Sequence, residues 1–201
     1  MAGQEQVTRT IAWDGISFAV PSPWEMAGFA FDKRVSRLEL EDDYTVRLEV
    51  EWVRLKRRPE LARIRKRYLT RARKRTDKST RRTSIDGLPQ GWTAECYQMA
   101  KDHRMVIAFV LLPGTHIFAF FRLYFGPEDR EAPPPILRRI ATSFACHEEG
   151  LVPWQVYDLS IELPASFMLL STSFQAGLKM LQFACGRRRF YVWQAALADR
   201  V

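Results

Sequence analysis

The run Met105–Phe125 constrains the fold of this chain more than any other stretch. It is 21 residues long, and Arg122 and His116 are its only groups that can carry charge. A run of that length could cross a bilayer as a helix. Pro113-Gly114 falls in its middle, however, and a break at mid-span leaves backbone groups that need other partners. The flanks, Met105–Leu112 and Ile117–Phe125, are rich in Phe, Val, Ile and Tyr, which suit a pleated surface. The pattern predicts a β-hairpin with a Pro-Gly turn and argues against a membrane span.

Alternation places further strands. Tyr44, Val46, Leu48, Val50 and Trp52 alternate strictly, with Arg47, Glu49 and Glu51 on the other side. Ile16–Val20 alternates and stops at Pro21-Ser22-Pro23, Val35–Leu40 alternates with one slip, and Trp92–Met99 reads as another strand. Two helices are expected. One opens at Pro59-Glu60 and ends near Asp77–Thr80, with Leu61, Ile64, Tyr68 and Ala72 in a narrow apolar stripe. The other carries Ile136, Leu137, Ile140 and Ala141 on one side, after a loop at Pro133–Pro135.

The last fifty residues echo the first. A shift of 143 positions, without a gap, sets Ile16 on Leu159, Val20 on Leu163, Pro21 on Pro164, Trp24 on Phe167, Leu38 on Leu181, Leu40 on Phe183 and Leu48 on Tyr191. This predicts an internal duplication. The chain divides into a complete unit at 11–148 and an incomplete second copy, a β-meander, at 153–201. A short meander alone leaves edges and apolar surface open, so the copy is expected to pack on the first unit or on a partner chain. Trp154 and Trp193 are its candidate assembly residues, and a homodimer is one outcome.

The first unit resembles the PsbP-like fold. The resemblance rests on Ile16-Ser17-Phe18-Ala19-Val20-Pro21 followed by Pro23-Trp24, on the turn from Gly87 through Gly91 to Trp92, and on the closing run Ile136–Phe144. It covers about two-thirds of the chain. It implies an α+β fold, an antiparallel sheet flanked by helices (an α-β-α sandwich), here with a partial second β-rich repeat. Members of that group dock on other macromolecules: an extrinsic photosystem subunit, a nuclear Ran-binding protein, bacterial DcrB lipoproteins. None of their binding motifs is recognisable here, so no residue is carried over, and fold alone does not fix function.

Charge is the strongest functional signal. Between Arg54 and Arg82 lie 15 Lys or Arg and two acids, Glu60 and Asp77. That segment is +13 in a chain of +8, so the remainder sums to −5. Arg63, Lys66, Arg67, Arg71, Arg73 and Lys74 would line the predicted helix outside its apolar stripe as an anion- or partner-binding ridge. Glu39, Glu41, Asp42, Asp43, Glu49 and Glu51 on the preceding hairpin could neutralise part of it. Tyr68 is the single aromatic interleaved with the ridge, whereas single-stranded nucleic acid favours several.

No Ser-nucleophile elbow, metal-binding His pair, phosphate loop or dinucleotide fingerprint is present. His103, His116 and His147 read as surface residues, and no catalytic residue, metal ligand or cofactor is expected. Cys96, Cys146 and Cys185 are too widely spaced for a disulfide framework, and Met1–Thr10 has no apolar core of a signal peptide. The expectation is a cytoplasmic, non-catalytic docking or adaptor module for an anionic macromolecule, an acidic protein surface first. The alternatives are nucleic-acid binding through 54–82 and a self-assembling structural protein.

Overall fold

Strict alternation at 44–52 produces strand β5 (Val46–Arg54), with Leu48, Val50 and Trp52 buried on one side. The computed structural model describes residues 7–31, 35–55, 66, 70, 81–129, 131–175 and 177–195. The other strands of the first half are β1 (Thr8–Trp13), β2 (Ile16–Pro21), β3 (Glu25–Phe31), β4 (Ser36–Glu41), β6 (Arg82–Ser84), β7 (Trp92–Gln98), β8 (Arg104–Leu111) and β9 (Ile117–Phe125). Helix α1 (Pro133–Ser143) and the two-residue β10 (Ala145–Cys146) follow. Then come β11 (Leu151–Val156), β12 (Leu159–Pro164), β13 (Met168–Gln175), β14 (Leu178–Cys185) and β15 (Arg188–Ala195).

The chain forms two compact units: residues 1–10 with 18–146, and residues 11–17 with 147–201. The first is built on an antiparallel seven-stranded sheet of order β3-β4-β5-β9-β8-β7-β6. The apolar run at 105–125 is its central hairpin, β8 with β9, paired from Arg104–Phe125 to Leu111–Phe118 around the turn at Pro113-Gly114. Both strands are buried along most of their length, which explains a run apolar on both faces. Helix α1 begins at Pro133 rather than after the prolines, since Pro suits a first helical turn. Its Ile136, Leu137, Ile140 and Ala141 are buried as predicted. Near it, Phe144 meets Trp92 and Phe121 edge-on.

The second unit pairs β11 with β12, and β1 with β11 through Ala12–Gln155. A separate antiparallel sheet has the order β13-β14-β15. The unit differs from the expected split at 11–148 and 153–201, because 11–17 groups with the C-terminal residues. The cause is visible in the packing: Trp13 lies 5.3 Å edge-on from Trp154, which meets Phe183 at 4.9 Å. The β1–β2 turn at Asp14-Gly15 takes positive φ at both residues, the geometry that Gly favours in a two-residue hairpin.

The expectation of an α+β sandwich flanked by helices is corrected. The described residues form mostly antiparallel β-structure, and α1 is the one α-helix with both ends among them. Residues 8–13 and 25–31 are strands that alternation alone does not reveal, because small residues (Ala12, Ala27, Gly28, Ala30) dilute the pattern. The helix predicted at 59–80 lies outside the described residues, apart from Lys66 and Thr70, which are helical. No helix among the described residues is long and apolar enough to cross a membrane.

The repetition extends beyond apolar positions. Strands β1, β2 and β3 start 143 residues before β11, β12 and β13, and β4 and β5 start 142 before β14 and β15. The bulge between Met26 and Gly28 recurs between Leu169 and Ser171. Two turn hydrogen bonds also recur: Ser22 N–H to Val7 O beside Ala165 N–H to Gly150 O, and Trp24 N–H to Pro21 O beside Phe167 N–H to Pro164 O.

Candidate macromolecule-binding surfaces

Of the predicted basic ridge, Lys66 is exposed, and Thr70 Oγ1 donates to its carbonyl one turn later. Arg63, Arg67, Arg71, Arg73 and Lys74 lie outside the described residues. The ends of the segment are well anchored. Leu55 N–H donates to His116 O at 2.7 Å, and Gln98 N–H donates to Arg81 O at 2.9 Å. These ends attach to β5 and β6, four strand positions apart in the sheet, or about 19 Å.

Four of the six acids of the preceding hairpin, Glu39, Asp42, Glu49 and Glu51, are engaged by arginines outside the segment. Arg122 on β9 reaches Glu49 at 2.9 Å and Glu51 at 3.0 Å. Arg37 on β4 reaches Glu49 at 3.0 Å and Glu39 at 3.3 Å, and Tyr124 OH donates to Glu49 at 3.1 Å. The register of β5 with β9 sets Glu49 directly opposite Arg122. Arg47 is the extra residue of a β-bulge, where the pairing of β4 with β5 shifts between Leu40 and Glu41. The bulge turns its guanidinium between Asp42 and Asp129, the latter at 2.7 Å. Burial would raise the Asp42 carboxyl, but hydrogen bonds from Tyr44 N–H, Arg47 and Thr45 N–H hold it below the usual range. Arg82, at the far end of the segment, sits 3.7 Å from Glu95.

Two clefts flank Arg47, of about 400 and 460 Å³, and share Arg47, Phe125 and Asp129. The larger adds His103, Arg104, Met99 and Tyr124. Its rim includes the 3-10 turn Ala100–Asp102, where Lys101 and Asp102 take positive φ. Burial pushes the Cys96 thiol up, with Arg104 opposing, so this thiol is not activated. In the second unit, burial pushes His147 down, with Glu162 opposing, while its Nε2 lies 2.8 Å from Ser17 Oγ. Among the described residues no group of His, Cys, Asp and Glu is arranged to hold a metal ion.

The two assembly candidates separate. Trp154 is 2% exposed and belongs to the core of the second unit, so it offers no surface for association. Its pairing with Trp13 and Phe183 draws it inward, which corrects the expectation. Trp193 is 62% exposed and stacks on Tyr191 with ring centroids 5.6 Å apart and planes 10° apart. Gln182 Nε2 donates to Tyr191 OH at 3.0 Å, and Ser171 Oγ donates to Gln182 Oε1 at 2.7 Å. Beside them, Arg187 lies in the β14–β15 turn and Arg188 and Arg189 open β15. Reasoning from the sequence singled out Trp193 but missed Tyr191 and the arginines beside it. A signal was present, since residues 164–198 hold Lys179 and these three arginines but no Asp or Glu.

No family model matches this chain, and no curated protein matches it.

Proposed function

We propose that the chain is a non-catalytic docking module that binds an anionic macromolecule, an acidic protein surface foremost, through its basic segment 54–82. One observation carries the reading: the charge of the segment is segregated. It holds +13 against −5 in the rest of the chain, and Glu39, Glu49, Glu51 and Asp42 nearby are engaged by Arg37, Arg122 and Arg47, which lie outside it. A cluster of charges of one sign raises the local concentration of a partner of opposite sign and steers its approach. The module belongs to the cytoplasm in this reading, where thiols stay reduced, in keeping with Cys96, Cys146 and Cys185 forming no disulfide with one another.

The test is a salt titration of binding to a labelled polyglutamate peptide, for the wild type and for Arg67→Glu/Arg71→Glu/Lys74→Glu. The wild type should bind at low salt and weaken steeply as salt rises. The triple variant should lose binding while keeping its far-UV circular dichroism. Unchanged affinity in a folded triple variant removes the segment from the function.

A further inference from the structure

We infer that the outer face of the β13–β14–β15 sheet is a stacking platform for single-stranded nucleic acid. This inference rests on the second unit alone and is independent of segment 54–82.

Side chains alternate along a strand, so Arg189, Tyr191 and Trp193 share one face of β15, spaced at about 7 Å. The register sets Gln182 opposite Tyr191 and Met180 opposite Trp193 on that face. Tyr191 is 40% exposed and Trp193 62%, so core packing does not account for two parallel aromatic rings here. The hydrogen bonds from Ser171 through Gln182 to Tyr191 run across all three strands and fix the Tyr191 ring in place. An aromatic pair held in position and left open to water is preorganised for a flat ligand.

Charge narrows the ligand. The strands β13, β14 and β15 contain no acidic residue, and Lys179 is engaged by Asp158. Arg187 lies in the hairpin turn and Arg188 and Arg189 open β15; Arg189 shares the face of Tyr191 and Trp193, and its Nη1 donates to the carbonyls of Gly186 and Arg188 at 3.1 Å each. Among the described residues none of the three has an acidic partner. Two aromatics in a row with Arg189, next to Arg187 in the turn, offer a π-face to a base and forked donors to a phosphate. Bases in a duplex are stacked on each other and cannot use such a platform, so the ligand is single-stranded. An acidic peptide would use the arginines but not the stacked rings. A second copy of the chain would set this acid-free face against another like itself.

The experiment is fluorescence anisotropy of a fluorescein-labelled oligothymidylate of about 12 nucleotides, within the usual footprint of one such surface. The full chain is titrated at low salt, with the equivalent duplex as control. Single-strand affinity above duplex affinity is expected. Trp193→Ala and Tyr191→Ala should each weaken single-strand binding by at least about fivefold, the low end for one lost stack. The triple variant at Arg67, Arg71 and Lys74 should keep that preference, which separates failure of this inference from failure of the proposed function. Photo-crosslinking of wild-type protein to a 4-thiouridine oligonucleotide should label the peptide containing Tyr191 and Trp193, a readout that needs no folded variant. Three results overturn the inference: no single-strand binding at low salt, equal affinity in Trp193→Ala, or crosslinks confined elsewhere. A dimer in sedimentation that Trp193→Ala dissociates, without any oligonucleotide effect, assigns the face to a second copy instead.

Discussion

The two tryptophans of the second unit should behave as opposites under truncation. Trp154 is 2% exposed and packed edge-on between Trp13 and Phe183. Trp154→Ala removes a buried indole and two aromatic contacts, and should cost about 3–5 kcal/mol. With a urea slope of about 2 kcal/mol per molar, the midpoint of the second unit should fall by about 1.5–2.5 M. Trp154→Phe is milder, about 1–2 kcal/mol, because the indole Nε1–H is buried without a partner among the described residues and its removal relieves that cost. Trp193→Ala should change stability by no more than about 0.5 kcal/mol, since 62% of the residue already faces solvent. Far-UV circular dichroism is the assay, because removing either residue alters tryptophan emission itself. A Trp154→Ala variant within 0.5 kcal/mol of wild type, or a Trp193→Ala variant that loses more than about 2 kcal/mol, would refute the division into core and surface.

Other consequences follow from the same contacts. Arg47→Met strands Asp42 and Asp129 and should cost about 2–3 kcal/mol in denaturant unfolding, below the 3–5 of a fully buried pair because the side chain keeps 15% exposure. Asp42 is held below its ordinary 3.8, so its contribution is complete above pH 3.8 and is lost as pH falls through the folded value; acid unfolding below pH 3.8 should be shallower in Arg47→Met. His147 is held below 6.5, so the folded state resists its protonation. Stability of the second unit should fall as pH drops below 6.5, and His147→Gln should flatten that region of a pH–stability curve. Gly91→Ala should destabilise strongly, at least about 2–4 kcal/mol, because the new Cβ would lie 2.5 Å from Leu111 O at φ +91°; Gly114→Ala, with no atom within 4 Å of its Cβ, should cost only the backbone strain of about 1–2 kcal/mol in thermal melts.

The features legible in the sequence were those with a local signal. The break at Pro113-Gly114 fixed the hairpin β8–β9, and alternation at 46–52 fixed β5. The apolar side of Ile136–Ala141 gave α1, though its prolines proved to be inside the helix. Features fixed by distant partners stayed hidden. Nothing local in Thr8–Trp13 says that Ala12 will pair with Gln155, 143 residues away, and that pairing decides which unit receives 11–17. Likewise Glu49 and Glu51 could have served the basic segment until β9 brought Arg122 opposite them.

The exposed aromatic face shows how a single residue separates the two copies. A gapless shift of 143 sets Tyr191 on Leu48 and Trp193 on Val50, both fully buried, and so predicts interior positions. Pairing contradicts this beyond β14. In the first copy Leu40 pairs with Leu48, because the bulge at Arg47 takes up one residue. In the second, Phe183 pairs with Phe190 without a bulge. Phe190 and Val192 therefore occupy the places of Leu48 and Val50, and the alignment needs a one-residue step at this hairpin. A one-residue slip sends every following side chain to the opposite face of a strand. Tyr191 and Trp193 thus emerge on the outer face as a consequence of register. The same bulge positions Arg47 between Asp42 and Asp129 in the first copy. Inserting one residue after Arg189 should recreate the bulge, which absorbs the extra residue and leaves Phe190 opposite Phe183 and both rings on the outer face. Trp193 emission and single-strand binding should then stay as in the wild type. A blue-shifted emission with loss of binding would mean that the inserted residue shifts the register instead of forming a bulge.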